Sequence, residues 1–173
     1  MMTNFARLAA LAAAVTLVAG PAIAAPVSAN PKAKASAKIV KPLTLTAQQN
    51  LDFGTIVVGA LAANQTVSIA QGGTAVTGCT GALTCSGTVS SAQYKVTGTN
   101  NFTVNVAATG TNLTNTTSGG SELLAFTPNA PATVALGNSG TTGVNFNVGG
   151  AITIAPATVD GLYVGDIDVT VDY

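Results

Sequence analysis

Histidine and tryptophan are absent from this sequence, and only 7% of its residues are charged, against roughly 25% in an ordinary soluble domain. Without histidine there is no Ser-His-Asp or Cys-His arrangement and no usual general base. The three acids near the C-terminal end fall on one face of one predicted strand, which is typical of a charged outer edge and not of a glycosidase site. We therefore expect neither an enzyme nor a cofactor.

Long apolar runs are confined to the N-terminus. Arg7 precedes the apolar run Leu8–Gly20, and Ala22-Ile23-Ala24 has the small-x-small pattern of a cleavage site, so residues 1–24 are typical of a secretory signal peptide. No later run approaches the roughly 18 apolar residues of a spanning helix. We expect cleavage after Ala24, export, and no membrane span in the mature chain, with an arm at 25–41 and one domain at 42–173.

Cysteine is scarce. Cys79 and Cys85 are the only two, and in an exported chain they predict a disulfide. Two thiols without histidine do not complete a tetrahedral metal site, and their spacing is not that of a redox Cys-x-x-Cys motif. Asp166-x-Asp168 lacks the glycine and glutamate of a calcium loop, so no metal is expected.

The few charges are sorted along the chain. Four lysines lie in the arm, and after position 42 only Lys95 stands against six acids. The arm lysines are Lys32, Lys34, Lys38 and Lys41. They have no interleaved aromatic residue or arginine, so we expect no nucleic-acid partner, and the arm also fits a solvated linker.

No helical period follows the N-terminal run. Short runs rich in β-branched residues alternate with Gly, Asn, Ser and Pro, which predicts an all-β sandwich or barrel. Residues 71–92 and 108–121 are predicted loops, and Gly149-Gly150 a turn. Four phenylalanines flanked by polar residues are expected in the core: Phe53, Phe102, Phe126 and Phe146. The predicted strands are Ile39–Ala47, Asp52–Val58, Thr66–Ala70, Tyr94–Thr97, Phe102–Ala107, Leu123–Phe126, Thr133–Leu136, Val144–Val148, Ile152–Ile154 and Leu162–Tyr173.

Two segments alternate with period two, as strands do. In the C-terminal segment the apolar face carries Ile167, Val169, Val171 and Tyr173, and the other face Asp166, Asp168 and Asp172. In the segment before Leu51 the odd positions carry Ala33, Ala35, Ala37, Ile39, Leu43 and Leu45, with Lys41 the exception. Lys32, Lys34 and Lys38 occupy even positions.

The sequence Leu51-Asp52-Phe53-Gly54 follows the first predicted strand, and Gly161 precedes Tyr173 by twelve residues. Together with the signal peptide and the strand rhythm, these features resemble the pilin subunits of chaperone–usher fimbriae. The resemblance is closest to the spore-coat-U-like, archaic branch and related secreted bacterial proteins. It covers both ends of the mature chain and little of the middle.

The resemblance implies an immunoglobulin-like antiparallel β-sandwich that lacks its last strand and so has a groove beside the C-terminal strand. A periplasmic chaperone fills the groove, an outer-membrane usher follows, and in the fibre the extension of the next subunit replaces the chaperone. The chain would then be a self-associating subunit of a surface fimbria, with a role in adhesion or biofilm. The candidate donors are Ala33, Ala35, Ala37, Ile39, Leu43 and Leu45, and the candidate groove is Ile167, Val169, Val171 and Tyr173.

Two features depart from that family. The alanines of the arm fill only shallow pockets, and the two cysteines are local, whereas many such pilins join the first strand to a distant one. The charges add a hypothesis of their own. Lys32, Lys34 and Lys38 of one copy would face Asp166, Asp168 and Asp172 of the next and set the register.

Two other interpretations stay open at this point. One is a non-polymerising secreted envelope β-sandwich with a binding or adhesive surface. The other is a small outer-membrane β-barrel, since such barrels also end in alternating apolar residues and an aromatic one. Most predicted strands are shorter than the roughly 9–11 residues of a membrane strand, and aromatic residues are few.

Overall fold

A computed structural model describes residues 24–117 and 122–173. The predicted signal peptide therefore lies, apart from Ala24, outside the described residues. The chain divides into two units, 1–38 and 39–173. Residues 24–38 of the first unit are exposed and form neither helix nor strand. The described part contains no helix with the length and apolar character needed to cross a membrane.

The regular secondary structure of the second unit is almost entirely β-strand. Within the described residues there are thirteen, with one short 3-10 helix, Gly137–Ser139. The strands are β1 Thr44–Gln49, β2 Thr55–Val58, β3 Gln65–Ile69, β4 Val76–Thr77, β5 Leu83–Ser86, β6 Ala92–Thr97, β7 Thr103–Thr109, β8 Asn112–Asn115, β9 Leu123–Asn129, β10 Thr133–Ala135, β11 Val144–Ile154, β12 Tyr163–Val164 and β13 Asp168–Asp172.

The strands form three antiparallel sheets. The largest has the order β1-β6-β11-β9-β8-β12, with β3 also paired to β11 and β4 to β3. A second sheet has the order β10-β7-β13, and β2 pairs with β5. The predicted all-β, antiparallel, sandwich-like fold is confirmed.

Two apolar clusters lie between these sheets. One joins β6 and β11 of the large sheet to β7 and β10, with Val96, Val104 and Val148 fully buried. The other joins β3, β9 and β11 to β5. Leu51, two residues after β1, and Ile167, just before β13, pack against both clusters and so connect the two parts of the core.

The phenylalanines expected in the core are there, to different extents. Phe126 and Phe146 are buried. Phe53 and Phe102 are half-buried and pack against the clusters. Each large aromatic side chain thus contributes to the interior, although two of them retain contact with solvent.

The predicted turn at Gly149-Gly150 is wrong, because β11 continues through both glycines. A Cβ atom at Gly150 would fall within 2.7 Å of the ring of Phe126, and one at Gly149 would collide with the backbone of Ile69 and Ala70. The pair therefore lets β3 and β9 approach β11 closely, which is one of the reasons for a glycine inside a strand.

The two predicted polar loops are also partly wrong. Residues 71–92 contain β4 and β5, and residues 108–121 contain β8. The predicted strand Leu162–Tyr173 is divided: β12 pairs with β8, β13 pairs with β7, and residues 165–167 lie between them. The chain crosses from one sheet to another within this segment.

Candidate functional site: an open seam between two edge strands

Strands β1 and β13 are both at the edge of a sheet. Among the described residues β1 pairs only with β6, and β13 only with β7. Residues 40–43, which lead into β1, and residues 171–173, at the end of β13, together line a groove of about 560 Å³. We call the gap between the unpaired sides of β1 and β13 the seam.

The two edge strands run in opposite directions along the seam. The start of β1 meets the end of β13 at the groove. At the other end, Tyr94 pairs with Ala47 of β1, and its hydroxyl donates to the carbonyl oxygen of Ile167 at 3.4 Å. A strand laid between them would therefore be parallel to one neighbour and antiparallel to the other.

The inward-facing side chains along the seam are incompletely covered. Leu45 on β1 and Ile167, Val169 and Val171 on the β13 side all pack against the core yet remain half-buried. Core valines on interior strands, such as Val96, are 0% exposed. The apolar layer is thus open to solvent where a further strand would cover it.

The outward-facing side chains of β13 are acidic. Asp166, Asp168, Thr170 and Asp172 are exposed and alternate with the half-buried apolar residues. One carboxylate oxygen of Asp172 accepts a hydrogen bond from the Asn105 amide of β7 at 2.8 Å. The predicted alternation from 166 to 173 is therefore present in the structure, apolar toward the core and acidic toward solvent.

One end of the seam is fastened by the hydroxyl group of Tyr173. It donates to the carbonyl oxygen of Lys41 at 2.6 Å and accepts from the backbone N–H of Thr99 at 2.8 Å. The N–H of Lys41 donates in turn to the Thr99 side-chain oxygen at 2.7 Å. We call these three residues the Tyr173 clamp.

Gly98 makes room for the clamp. A Cβ atom at this position would lie 2.7 Å from the Tyr173 hydroxyl and 2.7 Å from a methyl group of Leu43. The ring of Tyr173 packs edge-on against Phe102, with ring centres 5.6 Å apart. The entry to β1, the turn after β6 and the end of β13 are thereby held together.

Tyr94 lies at the opposite end of the seam. Its ring stacks on Phe146 at 5.7 Å between centres. Burial raises the pKa of the Tyr94 phenol above 10.0, and the nearby carboxylates of Asp166 and Asp168 raise that pKa further. The phenol therefore stays protonated, and able to donate its hydrogen bond to Ile167, to a higher pH than a solvent-exposed tyrosine.

The Leu51-Asp52-Phe53-Gly54 segment is an irregular stretch between β1 and β2 that does not reverse the chain: β1 pairs with β6, Asp52 bridges to Ser90, and β2 pairs with β5, all in one antiparallel direction. A carboxylate oxygen of Asp52 accepts from the N–H of Gly54 at 2.8 Å. Gly54 has φ +71, and its missing Cβ leaves space at the carbonyl oxygen of Ser86. Phe53 then packs edge-on against Phe126. The motif therefore shapes this connection and packs Phe53 into the core.

Gly161 has a similarly local explanation. It has φ +148, and any Cβ there would collide with the side chain of Asn115. Asn115 is 0% exposed, donates to the carbonyl oxygen of Asp160 at 3.0 Å and accepts from the N–H of Thr117 at 2.9 Å. The glycine lets the chain close over a buried amide and begin β12.

The candidate donor residues fall in two groups. Ala33, Ala35 and Ala37 are exposed, and Ile39 is 89% exposed. Leu43 and Leu45 instead pack against this chain's own core. The even-position lysines of the arm, Lys32, Lys34 and Lys38, are exposed.

The predicted disulfide between Cys79 and Cys85 is confirmed. Of the residues that the structure describes, no three His, Cys, Asp or Glu side chains come together as metal ligands would. Sequence reasoning did not identify the clamp residues Lys41 and Thr99, nor Gly98. The one signal was Lys41 itself, the polar residue that breaks an otherwise apolar run of odd positions.

Comparison with known proteins gives one match. The family model described as "Domain of unknown function (DUF4402)" matches residues 43–173, well over half of the chain. No curated protein and no solved structure matches the chain. The matched region begins at Leu43, where the chain enters the sandwich, and includes both walls of the seam.

Proposed function

We propose that this chain, which belongs to the family described as Domain of unknown function (DUF4402), is a structural subunit of a bacterial surface fibre whose copies join by strand addition. The arm of one copy would lie in the seam of the next. The observation that carries the proposal is the seam itself: two edge strands whose inward-facing apolar side chains remain half-buried.

An added strand would satisfy both requirements of such a seam. It would give hydrogen-bond partners to the unpaired backbone edges of β1 and β13, and it would cover the apolar side chains beneath. An unpaired edge over a partly open core is otherwise a site of uncontrolled association. Strand addition converts that hazard into a specific joint.

The arm has the properties of a donor segment. Residues 24–38 are exposed and form neither helix nor strand, as expected of a segment that becomes a strand only on a partner. Within 32–38 the odd positions carry the alanines 33, 35 and 37 and the even positions carry Lys32, Lys34 and Lys38, against a seam that is apolar inside and acidic outside. Leu43 and Leu45 already serve their own core, so the donor lies upstream of them.

The wider role follows from the resemblance to pilin subunits of chaperone–usher fimbriae. In that role the sandwich is the immunoglobulin-like, incomplete type, and residues 1–24 direct export. A periplasmic chaperone covers the seam before an outer-membrane usher passes the subunit to the cell surface. A contribution to adhesion or biofilm is part of the same proposal.

The test uses the mature chain and two arm variants. A chain lacking residues 25–38 should stay monomeric at concentrations at which the intact chain associates, as measured by light scattering after size exclusion and by negative-stain microscopy. Ala35→Pro should also prevent association, because proline removes a backbone donor from the added strand.

Ala29→Pro is the matched control, since it places the same residue in the arm outside the segment with alternating lysines. It should associate like the intact chain. Association that survives deletion of residues 25–38 would contradict the proposal.

A further inference from the structure

We infer that, on the proposed function above, the arm of a second copy lies parallel to β13 in a single register. In that register Lys32, Lys34 and Lys38 face Asp166, Asp168 and Asp172 of the neighbour. The positions of these six charged side chains would thus set both the direction and the register of the added strand.

The two charge patterns have the same spacing. Relative to the first charged position, both place charges at 0, +2 and +6, and both place a hydroxyl residue at +4, Ser36 in the arm and Thr170 in β13. Aligned in the same direction, all three lysines meet a carboxylate. In the opposite direction no register brings more than two lysines opposite aspartates, and every other parallel register brings at most one.

The apolar face agrees with the same register. Ala33, Ala35 and Ala37 would face the larger side chains Ile167, Val169 and Val171, so small residues meet large ones. Ile39, a large apolar residue, would face Tyr173, at the end of the seam where the groove of about 560 Å³ lies. In the reversed register that pairs Lys32 with Asp172, Ile39 would instead face Gly165, away from that groove.

Backbone pairing does not favour either direction. Because β1 and β13 run oppositely along the seam, a strand between them makes one parallel and one antiparallel ladder whichever way it runs. The choice therefore falls to side chains. Exposed cross-strand ion pairs are weak individually, so three of them select a register and add little strength.

On this inference the occupant is the arm of a second copy. In the single chain Ile39 is 89% exposed, although it adjoins the residues that line the groove. Lys41, two residues on, is held by its N–H and its carbonyl oxygen in the Tyr173 clamp. Ile39 of this chain therefore leaves its own groove open, and the isoleucine of a second copy would fill it.

Charge reversal in full-length mature chains tests the register. Lys34→Glu and Asp168→Lys should each weaken association about three- to tenfold at low salt, because each turns one attraction into a repulsion. An equal mixture of the two variants should regain wild-type association, since each arm then meets a complementary neighbour in an alternating chain. Circular dichroism checks that both variants fold.

The matched control mixes Lys34→Glu with Asp172→Lys, a pair that does not meet in the proposed register and meets only in a reversed or a shifted one. Recovery with Asp168→Lys and none with Asp172→Lys is the expected result. Recovery with Asp172→Lys alone would overturn the register while leaving strand addition intact. Recovery with neither of the two aspartate variants would overturn the proposed register as well.

Own-arm insertion has a separate signature. If Lys34→Glu and Asp168→Lys change only the unfolding free energy, independently of concentration, and combining both in one chain restores it, the second copy is the wrong occupant. The deletion of residues 25–38 described above remains the independent test of strand addition itself.

Discussion

Tyr173 joins three segments that are far apart in the sequence through a single hydroxyl group. It accepts from Thr99 and donates to Lys41, and Gly98 leaves the space that this approach requires. The side chain is 37% exposed, so water can reach part of the ring but the hydroxyl has a protein partner on each side. Its contribution should therefore be local and measurable.

Removing that hydroxyl should loosen the entry to β1. We expect Tyr173→Phe to lower the free energy of unfolding by about 1 kcal/mol, since a donor and an acceptor lose their shared partner near the surface. Hydrogen exchange at the Thr99 amide should accelerate, because that N–H donates to the missing oxygen. Urea unfolding and exchange measured by NMR would give both values.

Tyr163→Phe is the matched control. Its hydroxyl donates to the carbonyl oxygen of Val159 at 2.7 Å, and Tyr163 lies on β12, which pairs with β8 and has no part in the clamp. It should cost a similar or smaller free energy and leave the Thr99 amide unchanged. Equal exchange at Thr99 in the wild type and in Tyr173→Phe would show that the clamp does not hold this end of the seam.

At the scale of strands, the sequence indicated those segments in which side-chain alternation and burial agree. The alternation from 166 to 173 is apolar on the buried side and polar on the other, and β13 follows it. The same holds for β7, where Val104 is buried between exposed neighbours. In both cases one sheet face meets the core and one meets water, so period two is visible in the residues.

The strands that could not be predicted from the sequence lack this alternation of apolar and polar side chains. β8 reads Asn-Leu-Thr-Asn and β5 reads Leu-Thr-Cys-Ser, each with too few apolar residues to show a period. They are strands because neighbours hold them: β8 lies between β9 and β12, and β5 pairs with β2. The break between β12 and β13 likewise depends on which sheet each half joins, and no local pattern encodes that choice.

Only one of the two features of the seam could be predicted from the sequence. Its apolar face could be predicted from alternation, whereas the unpaired edges of β1 and β13 follow from the topology of the whole domain. Lys41 was visible as an exception in the pattern, but its partners Thr99 and Tyr173 are 58 and 132 residues away. Contacts at such separation have no local signature.

A buried amide holds β12 to the sheet, and it supplies a test at this scale. Asn115→Ala should lower the free energy of unfolding by about 1–3 kcal/mol, because the Asp160 carbonyl and the Thr117 N–H lose their buried partner. Proteolysis should then begin in residues 156–165. Urea unfolding and mass spectrometry of early fragments would measure both effects.

Asn112→Ala, on the same strand but exposed, is the control and should change stability by less than about 0.5 kcal/mol. Similar losses in the two variants, or early cleavage elsewhere, would mean that Asn115 is not what fastens β12.

Across the whole molecule the charges are separated. Lys32, Lys34, Lys38 and Lys41 are basic and close together, while the rest of the mature chain holds six acids and one lysine. The full sequence has six basic and six acidic side chains, and without Arg7 of the predicted signal peptide the mature chain has five against six, a net charge of −1. Copies therefore repel one another only weakly as a whole, and the basic arm of one is attracted to the acidic body of another. Solvent-exposed attraction of this kind is screened by salt.

Association between copies should therefore weaken as salt rises. From about 0.1 M salt, where the screening length is about 10 Å, to about 1 M, where it is about 3 Å, we expect a several-fold rise in the dissociation constant. Three exposed pairs at roughly 0.2–1 kcal/mol each would contribute about 0.6–3 kcal/mol, and a several-fold rise in the dissociation constant corresponds to the lower part of that range. A variant with Lys32, Lys34 and Lys38 all changed to Gln should associate more weakly at low salt and show little salt dependence, because the backbone ladders and apolar contacts of the seam remain.

Sedimentation velocity at several salt concentrations would compare the wild-type chain with this variant. Tighter association of the wild type at high salt would mean that apolar burial alone drives the joint and that the sorted charges do not contribute to it.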